Sequence, residues 1–236
     1  MLKSLKWTGN HWQCICILLL ALTGMLIHLL LFNDLGFHRD ELLFFSLGQH
    51  LDFGYFSVPP MIGFLAFVVS KILGYSLFAA KIVPALLCGA MVLLCSRIAR
   101  ELGGSFFARF LAATGFLSCI LFLRAFSLFQ PVFLDIFFWT VALYILLRFV
   151  NTEHLNYLIL FGVSVGFGLL NKYNILFLVM AVLVVLPFTR YRKLFMAREF
   201  YLAILITFLI LLPNLIWQLR HGVPVLEHMV ELKRTQ

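Results

Sequence analysis

Seven long apolar runs dominate this chain, at roughly 14–32, 78–99, 106–123, 131–150, 155–171, 174–189 and 199–213. A helix rises about 1.5 Å per residue, so about 20 apolar residues match the ~30 Å hydrocarbon layer of a bilayer. One water-surrounded core cannot hide so much apolar surface. Of 236 residues, 63% are hydrophobic and 12% charged, against about half and a quarter in a soluble domain. The sequence predicts an all-α polytopic membrane protein with about seven transmembrane helices. It excludes a disordered chain, a secreted disulfide scaffold and a water-soluble Rossmann or barrel enzyme.

The first run follows Lys3 and Lys6 as the core of a signal peptide would. It is too long for that and has no small-x-small cleavage site, so it reads as an uncleaved first span. Segment 61–73 is different, because thirteen helical residues rise only about 20 Å. If it does not cross, Arg97, Arg100, Arg109, Arg148, Arg190, Arg192, Lys193 and Arg198 share the side of the N-terminus. The positive-inside rule makes that side cytoplasmic, and places 61–73 on the outer interface or partway into the membrane. The expected organisation is one transmembrane domain over 1–236, with an outer loop at 33–77 that carries interfacial helices, in a bacterial inner membrane.

The net charge of +8 belongs to this topology. No basic cluster with interleaved aromatics points to nucleic acid. Cys14, Cys16, Cys88, Cys95 and Cys119 lie inside apolar runs without metal-ligand spacing and read as packing residues.

Topology leaves a small set of ionisable residues unexplained, all on the expected outer side. They are Asp34, His38, Arg39, Asp40, Glu41, His50 and Asp52 after the first span, Arg124 and Asp135 around the next outer turn, and Lys172 in the turn near 172. Charges near membrane depth are costly and tend to line cavities, so three separate outer turns are expected to converge on one site.

The stretches H-R-D-E-L at 38–42 and G-Y-F-S-V-P-P at 54–60 resemble the first outer loop of the GT-C superfamily of membrane glycosyltransferases. Within it the match is to the protein O-mannosyltransferase-like branch, which includes aminoarabinose transferases. The likeness continues in order through A-R-E-L-G-G at 99–104, L-D-I-F-F-W at 134–139, G-L-L-N-K-Y at 168–173 and P-N-L-I-W-Q-L-R-H-G-V-P at 213–224. It corresponds to the N-terminal half of family members, which are typically about twice as long. The resemblance implies transfer of a sugar from a polyprenyl-phosphate-linked donor to an acceptor hydroxyl, on protein or lipid, at the outer face. The contrasting expectation is a non-catalytic polyprenyl-phosphate-binding partner or a truncated inactive homologue. A second chain could then supply the missing half.

Such a transfer needs a base for the acceptor hydroxyl. Asp40 matches the family's loop acid; Glu41 points about 100° away on a helix and suits a supporting role. An equally direct reading makes the pair an N-terminal charge cluster on a helix over 40–50. The leaving phosphate calls for cations or a metal. Lys172, at the lysine of the family's G-L-x-x-[TN]-K pattern, and Arg124 are candidates, with Arg39 beside the acid; snorkelling to headgroups explains the first two equally simply. Asp40 with Asp135 could hold magnesium or manganese, and His38 would shift the preference to zinc; helix capping is the alternative for Asp135. Trp217, His221 and Glu227 sit where an acceptor could dock, though an interfacial aromatic belt accounts for Trp217.

Overall fold

The computed structural model describes residues 11–30 and 36–235; Lys3, Lys6 and Asp34 lie outside them. The described residues form helices joined by short turns, with no strand among them. The helices are α1 (His11–Leu30), α2 (Arg39–Gln49), α3 (Met61–Leu73), α4 (Leu77–Glu101), α5 (Phe106–Ser118), α6 (Ile120–Phe126), α7 (Pro131–Thr152), α8 (Asn156–Asn171), α9 (Leu176–Val185), α10 (Arg198–Arg220) and α11 (Pro224–Thr235). Short 3-10 turns flank α9, and a longer one covers Arg190–Met196.

Helices α1, α4, α7 and α10 are long and apolar enough to span a bilayer, and α4 is the most buried of them. Two bent pairs raise the total to six: α5 with α6, bent by 67°, and Tyr173–Phe188 with Arg190–Met196, bent by 109°. The count of seven is therefore not reproduced by length. The remaining expected crossing is α8, whose 16 residues rise only about 24 Å. It stops where Lys172 turns extended, at φ −159° and ψ 132°. Ile120, Leu121, Phe177 and Phe188 are each at least 75% exposed on this bundle. Each such side chain would forgo about 1.5–3 kcal/mol if left in water, so lipid is its solvent. The protein is an integral membrane protein.

Helices α1 and α4 run antiparallel: Gly24 faces Cys88 and Val92, Gly89 faces Ala21, and Trp12 at the start of α1 meets Phe106 just beyond α4 with ring centroids 4.6 Å apart. The chain thus leaves α1 and enters α4 at the same end of the bundle. Helix α3 covers the same residues 61–73 that length argued against as a span, and α2 and α3 together leave the chain on the end where it began. Helix α8 runs parallel to α10, with Gly162 against the backbone of Ala203 and Gly166 against Ile210. Small residues here let two helices approach without a hydrophobic drive in lipid.

The ends of the bundle differ in charge. At one end Arg148 Nη1 lies 2.7 Å from Glu101 Oε1, its guanidinium donates to the Tyr157 hydroxyl at 2.9 and 3.1 Å, and Arg190 pairs with Glu153 at 3.2 Å. The turns bearing Arg97, Arg100, Arg109 and Arg192–Arg198 belong to this end. Asp40, Gln130 and Lys172 gather at the other. All five cysteines are unbridged, with Cys88 buried and the rest half-buried, as packing residues.

Candidate functional site

The helix bearing the acidic pair starts with a side-chain cap. Asp40 N–H donates to His38 Nδ1 at 3.3 Å, and His38 N–H donates to Glu41 Oε2 at 2.9 Å. This reciprocal capping box satisfies two otherwise orphaned donors. His38 Nδ1 also lies 3.8 Å from Asp40 Oδ2. Arg39 lies 3.5 Å from Asp40 Oδ1, but its side chain is 94% exposed, so water screens the pair.

The two acids then take different environments, as their 100° offset dictates. Glu41 is fully buried. Its Oε1 meets Lys81 Nζ at 2.6 Å and accepts from Phe129 N–H at 2.9 Å. Asp40 is half-buried and lines a cavity of about 320 Å³. Its Oδ2 accepts from Gln130 Nε2 at 2.9 Å. The same cavity is lined by Lys172, Asn171, Tyr173 and Gln218, and by an apolar wall that includes Phe44, Val58 and Pro59.

Three turns at this end of the bundle meet here. Lys172 is exposed, and among the described residues its ammonium has no hydrogen-bond or ion-pair partner. Asn171 beside it donates to Pro131 O at 2.9 Å, tying the end of α8 to the start of α7. Its buried Oδ1 has no partner. Arg124 also sits on this end, in the last turn of α6, but it is exposed and does not line the cavity. Asp135 lies a turn into α7 and accepts from Asn174 Nδ2 at 2.8 Å; it too is outside the lining.

Asp40 and Asp135 each spend an oxygen on a different carboxamide. Among the described residues no three His, Cys, Asp or Glu side chains gather closely enough to hold a metal. Asp135 lies outside the cavity that Asp40 lines, so the two carboxylates do not share that site.

A second, more open cavity of about 460 Å³ adjoins the first and shares Tyr55 and Phe56 with it. His50, Asp52, Trp217, His221 and Glu227 line it. His221 stacks on Trp217 at 4.3 Å and 22°, with its Nδ1 2.8 Å from Trp217 O. Gly54 is required beneath the indole, since any Cβ there would enter the Trp217 ring. Burial raises the Tyr55 phenol above its ordinary 10.0; its hydroxyl donates to Leu47 O at 3.0 Å.

Sequence reasoning missed Lys81, Gln130 and Asn214. Asn214 is fully buried, donates to Phe53 O at 2.7 Å and accepts from the Tyr173 hydroxyl at 2.6 Å, joining the loop between α2 and α3 to the turn after α8. Lys81 and Asn214 did carry a signal, as polar residues inside apolar helices; Gln130, in a short turn, carried none.

A polytopic helical bundle with an acid and a cation lining one cavity at one end defines a class of membrane protein, not yet a family. Residues 57–217 match the profile of the dolichyl-phosphate-mannose-protein mannosyltransferase family, and the chain belongs to that family of membrane glycosyltransferases. It is also similar to the lipid A galacturonosyltransferase RgtD of Rhizobium johnstonii, with 24% identity over 220 residues that cover 92% of this chain and 46% of that protein. The chain thus spans about half the length of this curated relative. No solved structure matches it significantly.

Proposed function

We propose that this protein transfers a glycosyl group from a polyprenyl-phosphate-linked donor to an acceptor hydroxyl, at the outer face of a bacterial inner membrane with the N-terminus cytoplasmic. The observation that carries the reading is that Asp40 and Lys172, from turns far apart in sequence, line one cavity. In the proposed step the acceptor oxygen attacks the anomeric carbon while its proton passes to the Asp40 carboxylate. The bond from that carbon to the phosphate oxygen breaks, and the oxygen leaves with the electron pair. Lys172 is proposed to stabilise the negative charge that develops there.

The second cavity is proposed to hold the acceptor, with His221 and Trp217 on its wall and Tyr55–Phe56 between the two ligands. Arg39 and Arg124 are proposed to act only on approach of the anionic headgroup, since neither lines the cavity. The cytoplasmic assignment rests on the basic turns at the end opposite the cavity. The relative's greater length supports a further wall of the lipid groove from a continuing segment or a partner chain.

The test replaces Asp40 by Asn in the full chain and follows sugar release from a polyprenyl-phosphate donor in membranes. Loss of a general base lowers turnover by about 10²–10⁴-fold. Unchanged turnover removes Asp40 from the mechanism. A wild-type protein that binds polyprenyl phosphate without turnover supports the non-catalytic binder instead.

A further inference from the structure

We infer that the buried Glu41–Lys81 pair is a positioning device that sets the Asp40 carboxylate through the 127–130 turn; this rests on the reading of Asp40 as base. Four bonds carry the inference. Lys81 Nζ on α4 binds Glu41 Oε1 at 2.6 Å and donates to Ser127 O at 3.0 Å. Phe129 N–H donates to that same Glu41 oxygen at 2.9 Å. Gln130, the next residue, donates to Asp40 Oδ2 at 2.9 Å.

The outcome is a two-point pin between α2 and the turn. Glu41 fixes the turn from the protein interior, and the turn returns through Gln130 to hold the neighbouring acid, Asp40, on the cavity side. Phe45 and Phe129, centroids 5.1 Å apart, close the space between the two points. A carboxylate and an ammonium 0% and 3% exposed pay a large desolvation penalty. An apolar pair would hold α2 against α4 as firmly or better. What an apolar pair lacks is directional bonding to Ser127 O and Phe129 N–H, and those two groups place Gln130.

Lys81 and Glu41 touch neither cavity, so they are positioning residues whose effect falls on kcat. The variant pair Glu41→Gln with Lys81→Met removes both charges together and leaves no lone buried ion. It is compared with Gln130→Leu and with all three changes combined, in the full chain in membranes. Misplacing a reacting group by about 1 Å costs on the order of 10²-fold. We expect kcat to fall by about that factor in the charge-removed variant and in Gln130→Leu, with KM for a polyprenyl-phosphate sugar within about twofold of wild type. The combined variant is expected to lose no more than the worse of the two, because both act through one bond.

A second readout needs no turnover: amide hydrogen exchange of 127–130 is expected to accelerate in the charge-removed variant but not in Gln130→Leu. Multiplying losses, a KM effect with kcat intact, or unchanged exchange overturns the inference. If Asp40→Asn keeps its turnover the base reading fails instead, while the exchange result still decides whether the pair pins the turn.

Discussion

Lys81 Nζ lies 2.6 Å from Glu41 Oε1, and both side chains are shielded almost completely from solvent. Removing one partner alone strands the other charge in a low-dielectric interior. Lys81→Ala is therefore expected to destabilise the bundle by about 3–5 kcal/mol, read as a lower unfolding midpoint in detergent. The Glu41→Gln and Lys81→Met pair is expected to cost clearly less.

Gly162 abuts the backbone of Ala203, which cannot swing aside as a side chain does, whereas nothing lies within 4 Å of a Cβ built on Gly115. Gly162→Ala is expected to force α8 from α10 at a cost of about 1–3 kcal/mol. Gly115→Ala is expected to be neutral or stabilising by about 0.5–1 kcal/mol, through helix propensity alone. Thermal unfolding of the two variants side by side checks the contrast.

Asn214 serves two part-buried groups at once, the carbonyl of Phe53 and the hydroxyl of Tyr173. Asn214→Leu leaves the Phe53 carbonyl without its side-chain donor and the Tyr173 O–H without its acceptor, while Gln218 still donates to that hydroxyl at 3.4 Å, and is expected to cost about 1–3 kcal/mol in all. Limited proteolysis of the 50–60 loop should quicken in this variant, because the loop loses its tie to α10.

Lys172 lines the first cavity and Arg124 does not. Lys172→Met is expected to weaken binding of a polyprenyl phosphate by about tenfold or more, since a hydrogen bond to a charged group contributes about 1.5–3 kcal/mol. Arg124→Met is expected to stay within about twofold. Equal losses in a direct binding measurement would refute this division of roles.

Tyr55 ionises above its ordinary 10.0 because burial disfavours the phenolate, more than the hydrogen bond from the Asp52 backbone favours it. Below pH 10 the phenol keeps its proton whether the loop is folded or not, and its contribution is complete. As pH rises further, the unfolded chain gives up its proton first, so stability falls through that window. Tyr55→Phe is expected to remove this alkaline loss, as followed by unfolding midpoints between pH 9 and 11.

Helix existence was legible along most of the chain because it depends on local runs of apolar residues. The 61–73 segment is helix α3 and remains on one end of the bundle, as its length demanded. The crossing count was less legible. Cys119 at φ −82° and ψ 112° breaks the run at 106–123, and Thr189 at φ −104° and ψ 169° separates Tyr173–Phe188 from Arg190–Met196. A hydropathy run registers neither bend. In the site, Asp40 and Lys172 were visible as charges that topology left unexplained. Arg124 and Asp135 met the same criterion but lie outside the cavity, since which side of a helix end faces inward depends on packing.

Composition and the spacing of apolar runs determined by themselves that this chain lives in a membrane, that it is helical, and that a charged minority lies in the turns between its apolar runs. Those properties follow from the free energy of moving each segment out of water, which a segment carries with it wherever it packs. Tertiary structure alone decided which of two adjacent acids is buried on Lys81 and which reaches the cavity. That choice depends on the rotation of α2 against α4 and the 127–130 turn, a relation among residues 40 and 90 positions apart that no local pattern encodes.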